Sequence, residues 1–138
     1  MTAASWWLRI VGSLYLIEGV GLTLLAWAEP ATFAGVWASA PPESLNEVAV
    51  TGALIGGLPG TLTWVLLGAL MWIYSRVPAQ ARVLFIVVTA WELLVWIPVD
   101  VVSMFPVFLP GRMVLSLIHA VIGISGIVVL RRLPKGNP

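Results

Sequence analysis

Long apolar stretches separated by short polar segments run through this chain of 138 residues. A helix needs about 20 mostly apolar residues to cross the hydrocarbon core of a bilayer. Four stretches meet that length, over residues 6–28, 48–74, 83–105 and 112–130. The pattern therefore predicts an all-α integral membrane protein, in which a single domain over residues 1–138 forms a four-helix bundle.

Local signals mark the ends of several predicted helices. Ser44 and Glu47 have the spacing of a capping box, which would start the second span. Pro110 stands just ahead of the fourth span, where the first helical turn tolerates proline. Phe33 and Trp37 share one helical face in the first connection, which predicts a short helix lying at the membrane interface.

The basic residues predict the orientation of the spans. In the four-span arrangement Arg112 falls on one side of the membrane, and the other six basic residues fall on the opposite side. Because positive charge favours the cytoplasmic side, this bias predicts an up-down-up-down bundle with both termini in the cytoplasm. The six residues on the predicted cytoplasmic side are Arg9, Arg76, Arg82, Arg131, Arg132 and Lys135.

Composition agrees with a membrane environment and excludes several kinds of site. Hydrophobic residues make up 60% of the chain and charged residues 9%, against about 25% charged residues in soluble domains. The chain has no cysteine and one histidine, so we expect no disulfide, no metal site and no cofactor. A net charge of +1 without a basic run gives no sign of nucleic-acid binding. An aromatic belt at the interfaces is indicated by Trp6, Trp7, Trp27, Trp37 and Trp72.

Small residues predict close helix contacts. Gly52, Gly56 and Gly60 follow one another at four-residue steps on the second span. Such a stripe lets a second backbone approach closely, which is a main source of helix association in lipid. The approaching helix belongs either to the same chain or to a second copy, so a homo-oligomer formed through this stripe is one of two alternatives.

Ionisable residues inside the spans are the strongest indication of function. One carboxylate near the centre of a spanning helix costs about 3 kcal/mol of insertion free energy. A chain keeps such groups when they face inward, pair with one another or stay protonated. Glu18 also argues against treating the first span as a cleaved signal peptide. The residues concerned are Glu18, Glu92, Asp100 and His119.

Their spacing predicts a polar pocket within the bundle. Glu92, Trp96 and Asp100 follow at four-residue steps on the third span, and Asp100 and His119 lie at matching depth on neighbouring helices. We therefore expect Asp100 and His119 to form a proton-linked pair, with Glu18 and Glu92 as deeper acids. Glu92 has no basic residue near its predicted depth. An alternative is that these groups simply hold the helices together. Further residues expected around the pocket are Tyr15, Trp64, Trp91, Arg112 and Ser116.

Carboxylates beside indole rings favour a site for positive charge, because acids neutralise a cation and the ring faces attract it. The first hypothesis is a site for a small hydrophobic molecule, with cations among the candidates. A second is an acid–base enzyme of isomerase, cyclase or epoxide-opening hydrolase type, whose residue inventory resembles that of membrane sterol isomerases of the emopamil-binding type. A non-catalytic accessory subunit of a membrane complex and a proton-coupled transporter are two more alternatives.

The transporter alternative is associated with one local resemblance. The segment from Tyr15 to Leu25 resembles the first helix of small multidrug resistance transporters. That resemblance implies that Glu18 would bind protons and cationic drugs in turn. The third-helix tyrosine and tryptophan pattern of that family is absent here, and the likeness covers about a dozen residues.

A resemblance of layout extends through most of the chain. Its elements are the segment Trp7-Leu8-Arg9-Ile10-Val11, the pairs Trp91-Glu92 and Val99-Asp100 with the preceding Pro98, and the stretch from His119 to Arg131. Together these features resemble the small BphX-like membrane proteins of bacteria. The resemblance implies a multi-pass protein of the bacterial inner membrane, and it implies no reaction.

Overall fold

The structure, a computed structural model, describes residues 1–103 and 110–133, without the side chains at positions 103 and 110–112. Every regular element in this part of the chain is helical, which confirms the predicted all-α class. Short 3₁₀ turns cover Pro42–Ser44 and Pro78–Ala81, and a π turn covers Glu92–Trp96. The α-helices are α1 (Ala3–Ala28), α2 (Pro30–Ala38), α3 (Glu47–Tyr74), α4 (Arg82–Trp91), α5 (Ile97–Ser103) and α6 (Pro110–Arg132).

Four stretches of helix are long and apolar enough to cross a membrane, as the hydrophobic pattern predicted. They are Ala3–Ala28, Glu47–Tyr74, Pro78–Val102 and Met113–Arg132. Each carries large apolar side chains on its surface, a pattern that suits contact with lipid. Exposed examples from the four stretches in turn are Ile17, Ile55, Leu94 and Val121. The chain is therefore a multi-pass membrane protein by the length and composition of these helices.

The chain divides into two compact units. The central unit is Ile10–Trp72, and the terminal unit combines Met1–Arg9 with Ile73–Pro138. The central unit contains most of α1 together with α2 and α3. The terminal unit contains α4, the π turn, α5 and α6, with the first residues of α1.

Glycines bring α1 and α3 together in the central unit. A Cβ atom added at Gly68 would lie 2.7 Å from the carbonyl oxygen of Gly12. A Cβ added at Gly19 would lie 2.8 Å from the carbonyl oxygen of Thr61. The hydroxyls of Thr23 and Thr61 lie 3.0 Å apart in the same contact. Small residues thus permit close backbone approach here, as is common between helices in lipid.

The predicted short helix after the first span is present as α2, and its aromatic side packs on α3. Phe33 is fully buried, and a Cβ at Gly57 would lie 2.7 Å from its ring. A Cβ added at Gly60 would lie 3.1 Å from the ring of Trp37. Gly60 therefore serves a contact within the central unit.

The other two glycines of the stripe face open space. A Cβ added at Gly52 or at Gly56 would meet no described atom within 4 Å. Pairing of two copies through these positions stays a prediction.

The capping box predicted for α3 is wrong. The helix begins at Glu47, and the side-chain oxygen of Asn46 accepts a hydrogen bond of 2.8 Å from the N–H of Ala49. Asn46 is therefore the N-cap, in the role that short polar side chains commonly take. Ser44 lies in the preceding 3₁₀ turn, where its hydroxyl donates to the carbonyl of Pro41 at 2.7 Å.

Candidate functional site

The third span contains a π turn at Glu92–Trp96, just before Pro98. Pro98 has no N–H to donate, and in a regular helix its ring would clash with the carbonyl of Leu94. Within the turn the N–H of Ile97 instead donates to the carbonyl of Glu92, five residues earlier. Single π turns of this kind are found frequently at functional sites.

The π turn brings Glu92 and Asp100 onto one side of the helix. Eight residues along a regular α-helix correspond to directions about 80° apart, because each residue turns the chain by about 100°. The π turn takes up one additional residue, so the two acids are related as if about seven residues separated them, or about 20°. The sequence predicted a shared face, and the π turn brings the two acids nearer to one direction than a regular helix would.

His119 of α6 connects the two acids. Its Nδ1 atom lies 2.5 Å from Oε2 of Glu92, and its Nε2 atom lies 3.6 Å from Oδ2 of Asp100. The side chains of Glu92 and Asp100 are 0% and 1% exposed, and that of His119 is 13% exposed. These three residues are called the acid–histidine triad below.

The geometry corrects one expectation about this triad. Asp100 was expected to be the partner of His119, and Glu92 was expected to have no basic residue at its depth. His119 does lie within ion-pair distance of Asp100, at 3.6 Å, and it also makes a shorter contact with Glu92, which therefore has a basic partner. The contact that the sequence missed is the one with Glu92, the first residue of the π turn.

Two of the predicted tryptophans adjoin the triad. The ring of Trp96 stacks on the imidazole of His119, with centroids 5.6 Å apart and planes inclined by 15°. Trp91 meets the edge of Trp96 at 6.4 Å and is itself 40% exposed. Trp96 therefore forms a wall of the site, and Trp91 packs behind it toward the surface.

Two buried hydroxyls without hydrogen-bond partners in the described part of the chain flank the triad. Thr89 lies one helical turn before Glu92, and Ser116 lies one turn before His119 on α6. Buried polar side chains in folded proteins nearly always have a hydrogen-bond partner. The Thr89 hydroxyl packs against Gly126, and Ser116 shares a face of α6 with His119.

A layer of buried aromatic side chains lies between the triad and the start of α4. Trp7 and Phe85 pack with ring centroids 4.7 Å apart, and both are buried. Trp7 also donates from Nε1 to the hydroxyl of Ser125 at 2.9 Å. Trp7 is therefore buried inside the protein, and its place in an interfacial belt stays a prediction. The small residues Ser125 and Gly126 on α6 were the signal that an indole could pack there.

Three other predicted site residues belong to the central unit. Tyr15 and Trp64 are buried there, and their rings meet edge to face at 6.5 Å. Glu18 lies on the same helix as Tyr15 and has an exposed side chain. The side chain of Arg112 lies outside the described residues. The structure thus brings together Glu92, Trp96, Asp100 and His119, with Ser116 one turn away.

The triad is suited to holding and moving protons or positive charge. It contains two carboxyl groups and one imidazole, so it carries a charge of −1 when all three groups are ionised. Burial of net charge in an apolar environment is costly, so a positively charged group beside the two acids is favoured. Among the described residues, no group of three acidic or histidine side chains is placed to hold a metal ion.

Comparisons with known protein families, curated proteins and solved structures found no match to this chain. The resemblance to BphX-like membrane proteins stays a prediction from the sequence.

Proposed function

We propose that this membrane protein binds a small hydrophobic molecule carrying a cationic group, and that the acid–histidine triad is the site. The observation that carries the proposal is the position of His119 between two buried acids, Glu92 and Asp100, inside two candidate membrane spans. Intramembrane ionisable groups are costly and are usually retained for function.

Charge balance supports a cationic ligand. A proton brings the fully ionised triad to neutrality, and so does the cationic group of a ligand. The two therefore compete for the same site. Binding of the ligand then releases a proton, and release of the ligand takes one up.

The aromatic surroundings support the same ligand class. Trp96 lies against His119 and presents an indole ring beside the acids. A cation near an indole face gains about 0.5–2 kcal/mol, with larger values when water is excluded. Apolar parts of the ligand would lie among the aliphatic side chains of the same helices.

Acid–base catalysis is a second candidate function. An imidazole that contacts one carboxyl and lies near another provides two groups that can exchange a proton through one ring. On this alternative the ligand is a lipophilic substrate, and the triad protonates or deprotonates it. Release of a chemically altered molecule from the purified protein would favour the enzyme over the binding protein.

Native mass spectrometry of protein released from mild detergent tests the proposed site directly. Wild-type protein should carry a small adduct that is absent from Glu92→Gln, because the amide cannot supply the negative charge. Glu47→Gln is the matched control, since Glu47 is an exposed acid at the start of α3. Bare protein in all three samples, or a stoichiometric foreign subunit, would favour an accessory role.

A calorimetric titration with tetraphenylphosphonium, a lipophilic cation, provides a second readout that needs no natural ligand. Wild type and Glu47→Gln should bind it with similar affinity, and Glu92→Gln should bind at least ten times more weakly. Equal binding by wild type and Glu92→Gln would contradict the assignment of the site.

For location, we propose the bacterial inner membrane, with both termini in the cytoplasm and the spans alternating in direction. The support is the distribution of basic residues along the sequence together with the BphX-like resemblance. Reporter fusions at Gln80 and at the C-terminus should both report a cytoplasmic position. A periplasmic signal from either fusion would contradict this orientation.

A further inference from the structure

Charged residues are divided unevenly between the two units. All seven basic residues of the chain belong to the terminal unit. Of the six acidic residues, Glu92 and Asp100 belong to the terminal unit, and the others belong to the central unit. Both acids of the terminal unit are members of the acid–histidine triad. Away from the triad, this unit therefore carries positive charge that no acidic residue of the same unit balances.

The start of α4 lies beside the end of α6. A Cβ atom added at Gly126 would collide with the hydroxyl of Thr89, and one added at Gly123 would collide with the side chain of Leu93. An earlier position on α6 thus contacts a later position on the third span, so the contact runs in opposite directions along the two. Both neighbouring ends are basic, since α4 starts with an arginine and α6 finishes with two.

Arg82 and Arg132 lie at the same level, beyond the aromatic layer. The layer is marked on α4 by Thr89 and on α6 by Ser125, whose hydroxyl accepts a hydrogen bond from Trp7. Arg82 lies seven residues before Thr89, and Arg132 lies seven residues after Ser125. Seven residues advance a helix by about 10.5 Å and return it to within about 20° of the same direction. Both arginines are therefore on the helix faces that meet at the layer, about two turns farther along.

The guanidinium of Arg82 is suited to binding an anion. Its Nη1 atom is buried and has no hydrogen-bond partner among the described residues, although the side chain as a whole is half-buried. A buried N–H group without an acceptor is unfavourable, and a guanidinium can give two parallel hydrogen bonds to a phosphate. Arg132 is exposed at the same level. A phosphate between these two side chains would accept from Nη1 of Arg82 and reduce the repulsion between two like charges.

Exposed apolar side chains near the two arginines favour a lipid over a soluble anion. Val83 directly follows Arg82 on α4, and Val128 lies one turn before Arg132 on α6. Both valines are exposed, and so is Trp6 at the start of α1. Tryptophan is common at the level of lipid head groups, and basic pockets between spanning helices bind anionic head groups. A phospholipid would use both kinds of surface, with its phosphate on the arginines and its acyl chains along the valines.

We propose that Arg82 and Arg132 form a site for the phosphate of an anionic phospholipid, called the lipid site below. The acyl chains of this lipid lie along the apolar surfaces of α4 and α6. The aromatic layer separates the lipid site from the acid–histidine triad, and the two sites bind groups of opposite charge. The inference does not depend on the proposed function of the triad.

Native mass spectrometry in a mild nonionic detergent tests the lipid site with short-chain lipids. Wild-type protein is titrated with dioctanoylphosphatidylglycerol, which is anionic, and with dioctanoylphosphatidylcholine, whose choline neutralises its phosphate. We expect the anionic lipid to bind about ten times more tightly, because arginine recognises an uncompensated phosphate. Glycerol 3-phosphate carries the phosphate without acyl chains and should bind more weakly still. Equal binding of the two lipids, or of glycerol 3-phosphate and the anionic lipid, would overturn the proposal.

Three substitutions to glutamine separate a defined site from general attraction to positive charge. Arg82→Gln and Arg132→Gln should each weaken binding of dioctanoylphosphatidylglycerol about tenfold, because each removes a phosphate-binding group. Arg76→Gln is the matched control, since it removes the same charge from an exposed position just after α3. It should leave binding nearly unchanged. Equal weakening by all three substitutions, or by none of them, would contradict the lipid site.

Arg82→Lys tests the geometry of the guanidinium while keeping the charge. We expect affinity between those of wild type and Arg82→Gln, because an ammonium group does not give the paired hydrogen bonds of a guanidinium. Affinity equal to that of wild type would show that charge alone is read and would contradict the role of Nη1. Circular dichroism checks that each variant keeps its helices. If Arg82→Gln does not fold, Arg132→Gln at the last residue of α6 decides between the outcomes.

Discussion

Nδ1 of His119 lies 2.5 Å from Oε2 of Glu92, although 27 residues separate the two along the chain. The contact joins α6 to the first residue of the π turn, inside two candidate spans. Because Glu92 is fully buried, removal of His119 leaves an acid without this partner in an apolar environment. The contact therefore contributes to stability as well as to the proposed site, and the two contributions are separable.

Stability should fall when either partner is removed alone. We expect His119→Ala to destabilise the protein by about 3–5 kcal/mol, the usual cost of leaving one buried partner uncompensated. Measurements of unfolding in mixed micelles should give a double-mutant cycle for His119→Ala and Glu92→Gln. We expect a coupling of about 0.5–3 kcal/mol, as for residues in one hydrogen-bonded network. Strict additivity would contradict a direct interaction.

Affinity for a lipophilic cation should increase with pH. A proton and the cation compete for the same negative charge, so removing protons from solution favours the cation. If one proton is released for each cation bound, affinity rises by up to about tenfold per pH unit. Calorimetry with tetraphenylphosphonium at several pH values measures this slope. The slope should disappear in Glu92→Gln, and a slope of opposite sign would contradict competition.

The π turn should be needed for binding more than for folding. Pro98→Ala restores a donor for the carbonyl of Leu94 and removes the ring that disfavours a regular helix. In a regular helix Glu92 and Asp100 would point about 80° apart. We therefore expect weaker binding of tetraphenylphosphonium with stability unchanged or increased. Pro59→Ala in α3 is the matched control, because that proline lies in the central unit. Equal effects of both substitutions would contradict a specific role for Pro98.

Two glycines should differ sharply in their tolerance of a methyl group. Gly126→Ala places a Cβ against the Thr89 hydroxyl and the Trp7 ring, so the aromatic layer must shift. Overpacking of this kind typically costs about 1–3 kcal/mol. Gly52→Ala is the control, since nothing in the described structure lies within 4 Å of the added atom. Thermal unfolding in detergent compares the two, and an equal effect would contradict the packing at Gly126.

The open glycines of α3 allow a test of self-association. If Gly52 and Gly56 pair two copies, Gly52→Leu with Gly56→Leu should abolish energy transfer between labelled copies in lipid. Gly21→Leu is the control, because Gly21 on α1 also has nothing described within 4 Å. Unchanged transfer in the double variant would exclude this stripe as the contact, and absence of transfer in wild type would exclude the oligomer.

Much of the fold could be predicted from hydrophobicity alone, because lipid exposure requires long apolar helices whatever their packing. The spans and α2 are examples, and so is the grouping of Glu92, Asp100 and His119. The short contact between His119 and Glu92 was not predicted, because a π turn exchanges one backbone hydrogen bond for another and leaves little trace in composition. Pro98 was the one feature of the sequence that indicated the π turn. The burial of Trp7 depends on a contact with distant Phe85, which periodicity within one helix does not reveal.

The π turn also bears on how the site could have arisen. A π turn is equivalent to one residue inserted into an α-helix. An ancestral helix with one residue fewer between Glu92 and Asp100 would carry the acids seven positions apart and still present both to the imidazole. Homologous proteins should therefore include forms with a seven-residue spacing and an uninterrupted helix, in which Pro98 is no longer required.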